Sequence, residues 1–417
     1  MFLISFVSFL SVSAIFIFFL SVIIIFLVKW KEPRYGGAPR KVSIVIPAYN
    51  EQENIAACLK SIFSSNYPEK NIEVLVIDDG SNDKTKEIVK GFKGVRLLEQ
   101  NHLGKVEALN NGFRSASNEH VITIDADTVL DKNAITELMA RFTDSKIGAV
   151  TGVAKIKNKN MWLCSFQNIE YMYNCFIREA FSGLFRLSPG ICGALTCYRK
   201  SIVQKIGGFT KNTAAEDFDV SMHIKKNGYD VVATNKAVGH TIAPHTVKGL
   251  FKQRIRWAKG ILQGVIKHRD MIGSKKHGKA ISLLLSIQLF WYVYSLIVLP
   301  IIAYQFAYWL PFNTASVLDV GFYALKWVSL IGPIQVFYMY ATGQWAVSYF
   351  VFFGVLSGVL SSLLLVFSLR RYGEKMNLRN FLAVFFYFPY TLMLSVMMIA
   401  SILSYLNNRG EGFFLKK

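Results

Sequence analysis

Four stretches of this chain carry no charged residue: residues 2–28, 281–310, 327–369 and 381–408. Each is long enough to cross a hydrocarbon core of about 30 Å as a helix. In lipid every backbone polar group must be satisfied internally, so stretches of this kind are restricted to helices. They leave one block, residues 29–280, for a water-facing domain. The chain therefore reads as an integral membrane protein with a membrane helix over 1–28, a soluble domain over 29–248 and an amphipathic interfacial segment over 249–280. Membrane helices over 281–408 and a tail over 409–417 complete it. The first stretch could instead be a cleaved signal peptide. It lacks a basic leading region, its apolar run is too long, and Lys29 follows at once, so it reads as an anchor.

The charge balance orients the block. The chain carries a net charge of +20, of which 39 basic and 24 acidic residues, a net +15, fall within residues 29–280. Lys29, Lys31, Arg34, Lys267, Arg269, Lys275, Lys276 and Lys279 flank the apolar stretches. Basic residues gather on the inner side of membranes, which predicts a cytoplasmic block on a multi-pass plasma-membrane protein. Beside a bilayer, the expected partners of such a surface are anionic lipid and an anionic nucleotide, and not nucleic acid. Cys58, Cys164, Cys175, Cys192 and Cys197 are odd in number and lack zinc-type spacing, which fits a reducing compartment.

Within the block, short apolar runs alternate with helical patterns. Residues 42–47, 73–77, 95–98 and 121–124 have strand character, and each is followed by a helical pattern. Four such alternations predict an α/β fold with a mostly parallel sheet. In that arrangement the polar residues just past the strand ends share one rim, which gathers Tyr49, Glu51, Asp79, Asp125 and Asp127. Two hard carboxylates spaced as in Asp125-Ala126-Asp127 suit Mg²⁺ or Mn²⁺ bridging a diphosphate. Each acid could instead cap the helix that follows it; three strand ends acting in register argue for a shared site.

Ile44-Val45-Ile46-Pro47-Ala48-Tyr49-Asn50-Glu51, Asp78-Asp79-Gly80-Ser81, Gly104-Lys105 with Ala108-Leu109-Asn110, and Asp125-Ala126-Asp127 together resemble the nucleotide-binding half of family 2 glycosyltransferases. The resemblance implies a Rossmann-like GT-A domain inserted between transmembrane helices. It implies that Tyr49, Glu51 and Asp79 line a nucleobase pocket, that Lys105 approaches the diphosphate, and that Asp127 holds the metal with Asp125 near the ribose. Ala215-Glu216-Asp217-Phe218-Asp219 looks like the family's Thr-Glu-Asp motif, with Ala215 in place of Thr. Asp217 is then the catalytic base, a group the chemistry needs because an acceptor hydroxyl must lose its proton as it attacks. Glu216 lies on the acceptor side. The bland alternative is a pair of acids favoured by a helix N-terminus.

Gln253-Arg254-Ile255-Arg256-Trp257 matches the Gln-x-x-Arg-Trp motif of processive synthases such as those making cellulose, chitin, hyaluronan and poly-N-acetylglucosamine. It lies on an amphipathic helix. Phe251, Ile255, Ala258, Leu262 and Val265 form one stripe; Lys252, Arg256, Lys259, Gln263 and Lys267 form a second, read as a solvated basic face. In the resemblance, Gln253 and Arg256 serve the donor diphosphate and Trp257 offers an acceptor sugar a stacking platform. Tyr171, Tyr173 and Phe176 read as ordinary core, and His240 and His245 as structural or surface histidines. His102-Leu103 stands where the family usually has Asn-Arg before Gly-Lys.

The expectation is an inverting, metal-dependent hexosyltransferase that elongates a β-linked exopolysaccharide from a UDP-sugar, with UDP-GlcNAc the first choice, and passes it across the membrane. Its partners are the UDP-sugar, the growing polysaccharide, the bilayer and, as a further candidate, a small accessory membrane subunit. The alternative is a non-processive enzyme that moves one sugar to a polyprenyl phosphate or glycolipid. Topology divides two ways. If residues 327–369 form two spans, Arg370, Arg371, Lys375 and Arg379 fall outside; if the first third is re-entrant, that loop is inside.

Overall fold

The computed structural model describes residues 34–308, 316–343 and 349–407, together with residues 15, 16, 18–20 and 22. Most of the expected membrane helix over 1–28, and the tail over 409–417, lie outside the described residues.

The soluble block is built on one eight-stranded sheet: β1 (Val42–Ala48), β2 (Ile72–Asp78), β3 (Val95–Glu99), β4 (His120–Ile124), β5 (Val129–Leu130), β6 (Ile147–Ile156), β7 (Leu195–Arg199) and β8 (Asp230–Thr241). Their order is β3-β2-β1-β4-β7-β6-β8-β5. Alternation along β1 explains why both faces are covered. Ile44 and Ile46 point to one core with Leu59, Ile62, Ile122 and Ile124. Val45 points to the other with Leu75, Ile77, Leu109, Phe113 and Val121. The helices that supply these layers are α1 (Ile55–Phe63), α2 (Thr85–Lys90), α3 (Lys105–Ser115) and α4 (Ala134–Met139), followed by α5 (Trp162–Phe185), α6 (Lys200–Lys205) and α7 (Glu216–Lys226).

The sheet is mixed, and this corrects the mostly parallel expectation. β1 to β4 pair in parallel, as do β6 and β8. β7 runs antiparallel to both neighbours, and β5 antiparallel to β8. β7 follows the long helix α5 and lies between β4 and β6, running opposite to both. The parallel half still gathers its strand ends. Ala48 sits beside Asp78 in register, and the Asp79 amide donates to the Ala48 carbonyl at 2.9 Å.

The amphipathic helix α8 (Val247–Lys267) packs on this domain directly. A methyl at Gly260 would sit 2.3 Å from the Ala215 nitrogen, and one at Gly264 2.5 Å from the Phe218 ring. Two glycines a turn apart cut the notch into which the start of α7 fits. Its second stripe is only in part a solvated basic face: Lys252 and Arg256 are exposed. Lys259 and Gln263 are buried: Lys259 Nζ donates to Ser404 Oγ at 3.2 Å, and Gln263 Oε1 accepts from the Ala214 amide at 2.9 Å.

Beyond it lie α9 (Lys279–Tyr308), α10 (Val317–Val328), α11 (Ile331–Ala341), α12 (Tyr349–Arg371), α13 (Leu378–Phe385) and α14 (Tyr387–Asn407). Among the described residues, Lys279–Tyr304 and Tyr387–Asn407 are long and apolar enough to cross a membrane. α10 and α11 bend by 94° at their break, as a broken span or re-entrant pair does. The turn from α12 to α13 rests on the soluble domain. Lys159 pairs with Glu374 at 2.6 Å, Arg371 with Glu179 at 2.5 Å, and Arg379 donates to the Lys159 carbonyl at 2.9 Å. Arg370, Arg371, Lys375 and Arg379 thus lie on the domain's side, the arrangement the charge pattern favours.

Candidate active site

The rim beyond β1, β2 and β4 is where the sequence-derived residues meet. β4 ends in a tight turn, in which the Thr128 amide donates to the Asp125 carbonyl at 2.9 Å. That turn presents Asp125 and Asp127. Asp127 accepts from Thr128 Oγ1 and Thr241 Oγ1, each at 3.2 Å. Burial, reinforced by the neighbouring Asp125 charge, holds the Asp127 carboxyl above its ordinary range. Glu51 is raised as well, by burial first and then by Asp127 and Asp125, while Asn54 donates to it and opposes the shift.

One cation crosses the cleft. Lys105 follows Gly104, whose φ of +90° turns the chain into α3. Its Nζ donates to Asp125 Oδ1 at 2.7 Å and lies 3.3 Å from Glu216 Oε1. Burial works against the ammonium, but Asp125 and Glu216 together keep it firmly protonated. The strand-end acids and the start of α7 therefore face one space.

Asp217 stands beside that bridge. Its Oδ1 accepts from the Phe218 amide at 2.7 Å, and a methyl at Gly193 would approach Oδ2 to 2.9 Å. Burial pushes the Asp217 carboxyl up to about 6, and the Glu216 charge adds to this against the opposing pull of Lys105 and Arg256. Glu216 moves the other way: burial raises it, but Lys105 outweighs that and holds it low. Two adjacent acids in one cleft are thus pushed apart, one kept ionised and one poised near neutrality.

At the other end of the rim, Tyr49 is exposed and its ring stacks on His102, with centroids 4.1 Å apart. Asp79 is buried and committed to the chain itself. It accepts from Leu103 and Gly104 amides at 2.9 Å each and from Gln100 Nε2 at 2.7 Å. Its visible work is to shape the loop that launches Lys105.

The Gln-x-x-Arg-Trp residues separate. Arg256 Nη1 donates to the Ala214 carbonyl at 3.3 Å, next to the two acids. Gln253 Oε1 accepts from Arg254 at 2.8 Å. Trp257 faces Tyr171, with ring centroids 6.1 Å apart, and carries the Arg254 guanidinium 4.3 Å above its own ring. Sequence reasoning missed Arg254. It is buried, pairs with Glu170 at 2.8 Å, and Tyr390 of α14 donates to the same carboxylate. A signal was present: Arg254 falls on the apolar stripe of α8, and Glu170 is the lone charge between Lys159 and Arg178.

His240 pairs with Asp131 at 2.9 Å. All five cysteines are free and buried.

Comparison with known proteins agrees with this geometry. Residues 43–207 match the profile of glycosyl transferase family 2. The chain is 36% identical over 243 residues to a poly-beta-1,6-N-acetyl-D-glucosamine synthase of Staphylococcus epidermidis, covering 56% of this chain and 57% of that one. A synthase of the same name from Staphylococcus aureus is 34% identical over 227 residues, covering 52% and 54%. The chain thus spans somewhat over half the length of these curated relatives. In structure it is similar to a mannosyltransferase from Pyrobaculum calidifontis in complex with GDP-Man and Mn²⁺, with a TM-score of 0.66 over 98% of both chains at 19% identity. That likeness is one of fold. The rim, the sheet order and the profile agree: residues 43–207 are similar to glycosyl transferase family 2, within an α/β domain whose fold is that of the mannosyltransferase, and helices apolar enough to span a membrane follow it.

Proposed function

We propose that the chain is a processive, inverting glycosyltransferase that elongates a β-linked poly-N-acetylglucosamine-like polysaccharide from UDP-GlcNAc at the cytoplasmic face of the plasma membrane. The observation that carries this reading is the Lys105 bridge. It joins Asp125, at the strand ends suited to a diphosphate, to Glu216, one residue from the poised Asp217. Donor and acceptor chemistry then share one cleft.

In this reading Tyr49 and Glu51 line the nucleobase end, where Asp79 shapes the loop. Lys105 and Arg256 meet the negative charge that develops on the leaving diphosphate. Asp217 takes the proton of the acceptor hydroxyl as that oxygen attacks the anomeric carbon from the opposite face. Trp257 gives the acceptor sugar an aromatic face, held flat by Arg254 behind it. Asp125 and Asp127 fit a hard divalent cation. They are oxygen donors at one turn, and the Asp127 carboxyl is raised first by burial and then by the Asp125 charge beside it, a pairing of acids that a cation would relieve. Mg²⁺ or Mn²⁺ held there supplies further neutralisation of the diphosphate.

Incubating the purified full chain with labelled UDP-sugars tests the proposal. The expected product is a size-laddered polymer from UDP-GlcNAc, abolished by EDTA and restored by Mg²⁺ or Mn²⁺. A single-sugar, organic-extractable product would end the polymerase reading.

A further inference from the structure

Along one face of α7, Asp219 and His223 converge with His268. Asp219 and His223 are four residues apart and so share a helix face. His268 follows the last residue of α8. The Asp219 carboxylate is divided between two sets of partners. Oδ2 is held by Thr210 Oγ1 at 2.6 Å and by Lys267 Nζ at 2.8 Å. Oδ1 faces the histidines, with His268 Nε2 at 2.9 Å and His223 Nε2 at 3.9 Å.

The two rings stand nearly perpendicular, their centroids 4.9 Å apart. One ligand-capable atom from each of the three side chains lies within 4.8 Å of the others. Of the nitrogens that face Asp219, His223 Nε2 is buried without a hydrogen-bond partner. Buried nitrogens of this kind are rarely left unpaired.

We propose that Asp219, His223 and His268 bind a transition-metal ion, Zn²⁺ being the best match to two imidazoles and one carboxylate. Bonds of about 2.0–2.1 Å in a tetrahedral site set donor atoms roughly 3.3 Å apart. The 2.9 and 3.9 Å separations bracket that spacing, so small side-chain shifts complete the set. Nitrogen donors select against Mg²⁺ and Ca²⁺, which seek oxygen. Three protein ligands leave a fourth position for water. Lys267 keeps Oδ2 engaged and Oδ1 turned to the ion, while its charge limits affinity.

The site is a positioning device. α7 opens with Glu216 and Asp217 and α8 carries Arg256 and Trp257, so the ion pins the body of α7 to the C-terminal end of α8, the two helices that bring those residues together. The inference stands apart from the sugar chemistry.

The test uses the full chain in detergent, stripped with chelator and then kept in excess Mg²⁺ so that all-oxygen sites are occupied. Titrated Co²⁺ should give the visible absorption of a tetrahedral nitrogen-ligated centre, saturate at one equivalent and be displaced by Zn²⁺. Losing a group that only hydrogen-bonds to a metal ligand already weakens metal binding about 10- to 100-fold, so H223Q and H268Q should each weaken it by more than about 100-fold. Zn²⁺ should raise the unfolding temperature of the parent chain and leave that of both variants unmoved. Absence of the absorption, or binding equal in parent and H223Q, would overturn the site and leave a histidine–aspartate ion pair. His223 is partly exposed, so H223Q decides the matter even if H268Q fails to fold.

Discussion

Asp217 has a carboxyl lifted to about 6 by burial and by Glu216, and a base must be ionised to accept a proton. Below about pH 6 the folded protein holds it protonated, so initial rates should fall as pH drops through that value and level off above it. D217N should lose about 10²–10⁴ in turnover, the span expected of a positioned base, while UDP-sugar binding survives. An unchanged rate would remove Asp217 from the chemistry. The acids of the rim were legible in the sequence because each lies within a few residues of a strand that the apolar pattern marks. Glu170 and Arg254 were not, because their partnership joins residues 84 positions apart. Only the oddness of a charge on an apolar face announced it. R254Q strands Glu170 in the interior, at a cost of about 3–5 kcal/mol, and should lower the unfolding midpoint sharply. R254M/E170M should regain most of the loss, since the coupled pair is removed together.

Elements, more than single residues, set the distance between the two halves of the cleft. α8 reaches the start of α7 only because Gly260 and Gly264 leave room. A larger residue there meets backbone at Ala215, which cannot yield as a flexible side chain would. G260V should therefore push α8 away and displace Arg256 from the acids. A misplacement of about 1 Å can cost roughly 100-fold in rate, so G260V should cut initial rates by that order while the protein remains membrane-bound and folded. The parallel half of the sheet could be read from strand–helix alternation. The reversal at β7 could not, since it depends on which strand pairs across the 24 residues of α5. The amphipathic pattern of α8 was legible, but not what its polar stripe faces; Gly260 and Gly264, each next in sequence to a residue of that stripe, were the clue that something packs there.

For the molecule as a whole, the alternation of apolar and charged stretches set out the division between domain and membrane helices. Side was harder to read, because a long uncharged stretch does not say where it bends. The 94° break between α10 and α11 and the contact of Glu374 with Lys159 set the α12–α13 turn beside the soluble domain. The same contacts bear on motion. α14 lies along α8, with Tyr390 on the Glu170–Arg254 pair at one end and Ser404 on Lys259 at the other, and the α12–α13 turn is clasped to the domain at Glu179 and Lys159. The soluble domain is bolted to the apolar helices at several points, and rocking it would break the Lys159–Glu374 and Arg371–Glu179 pairs. If a polymer advances through this protein, the stroke belongs to the sugar chain and the cleft side chains, moving within a frame that stays still.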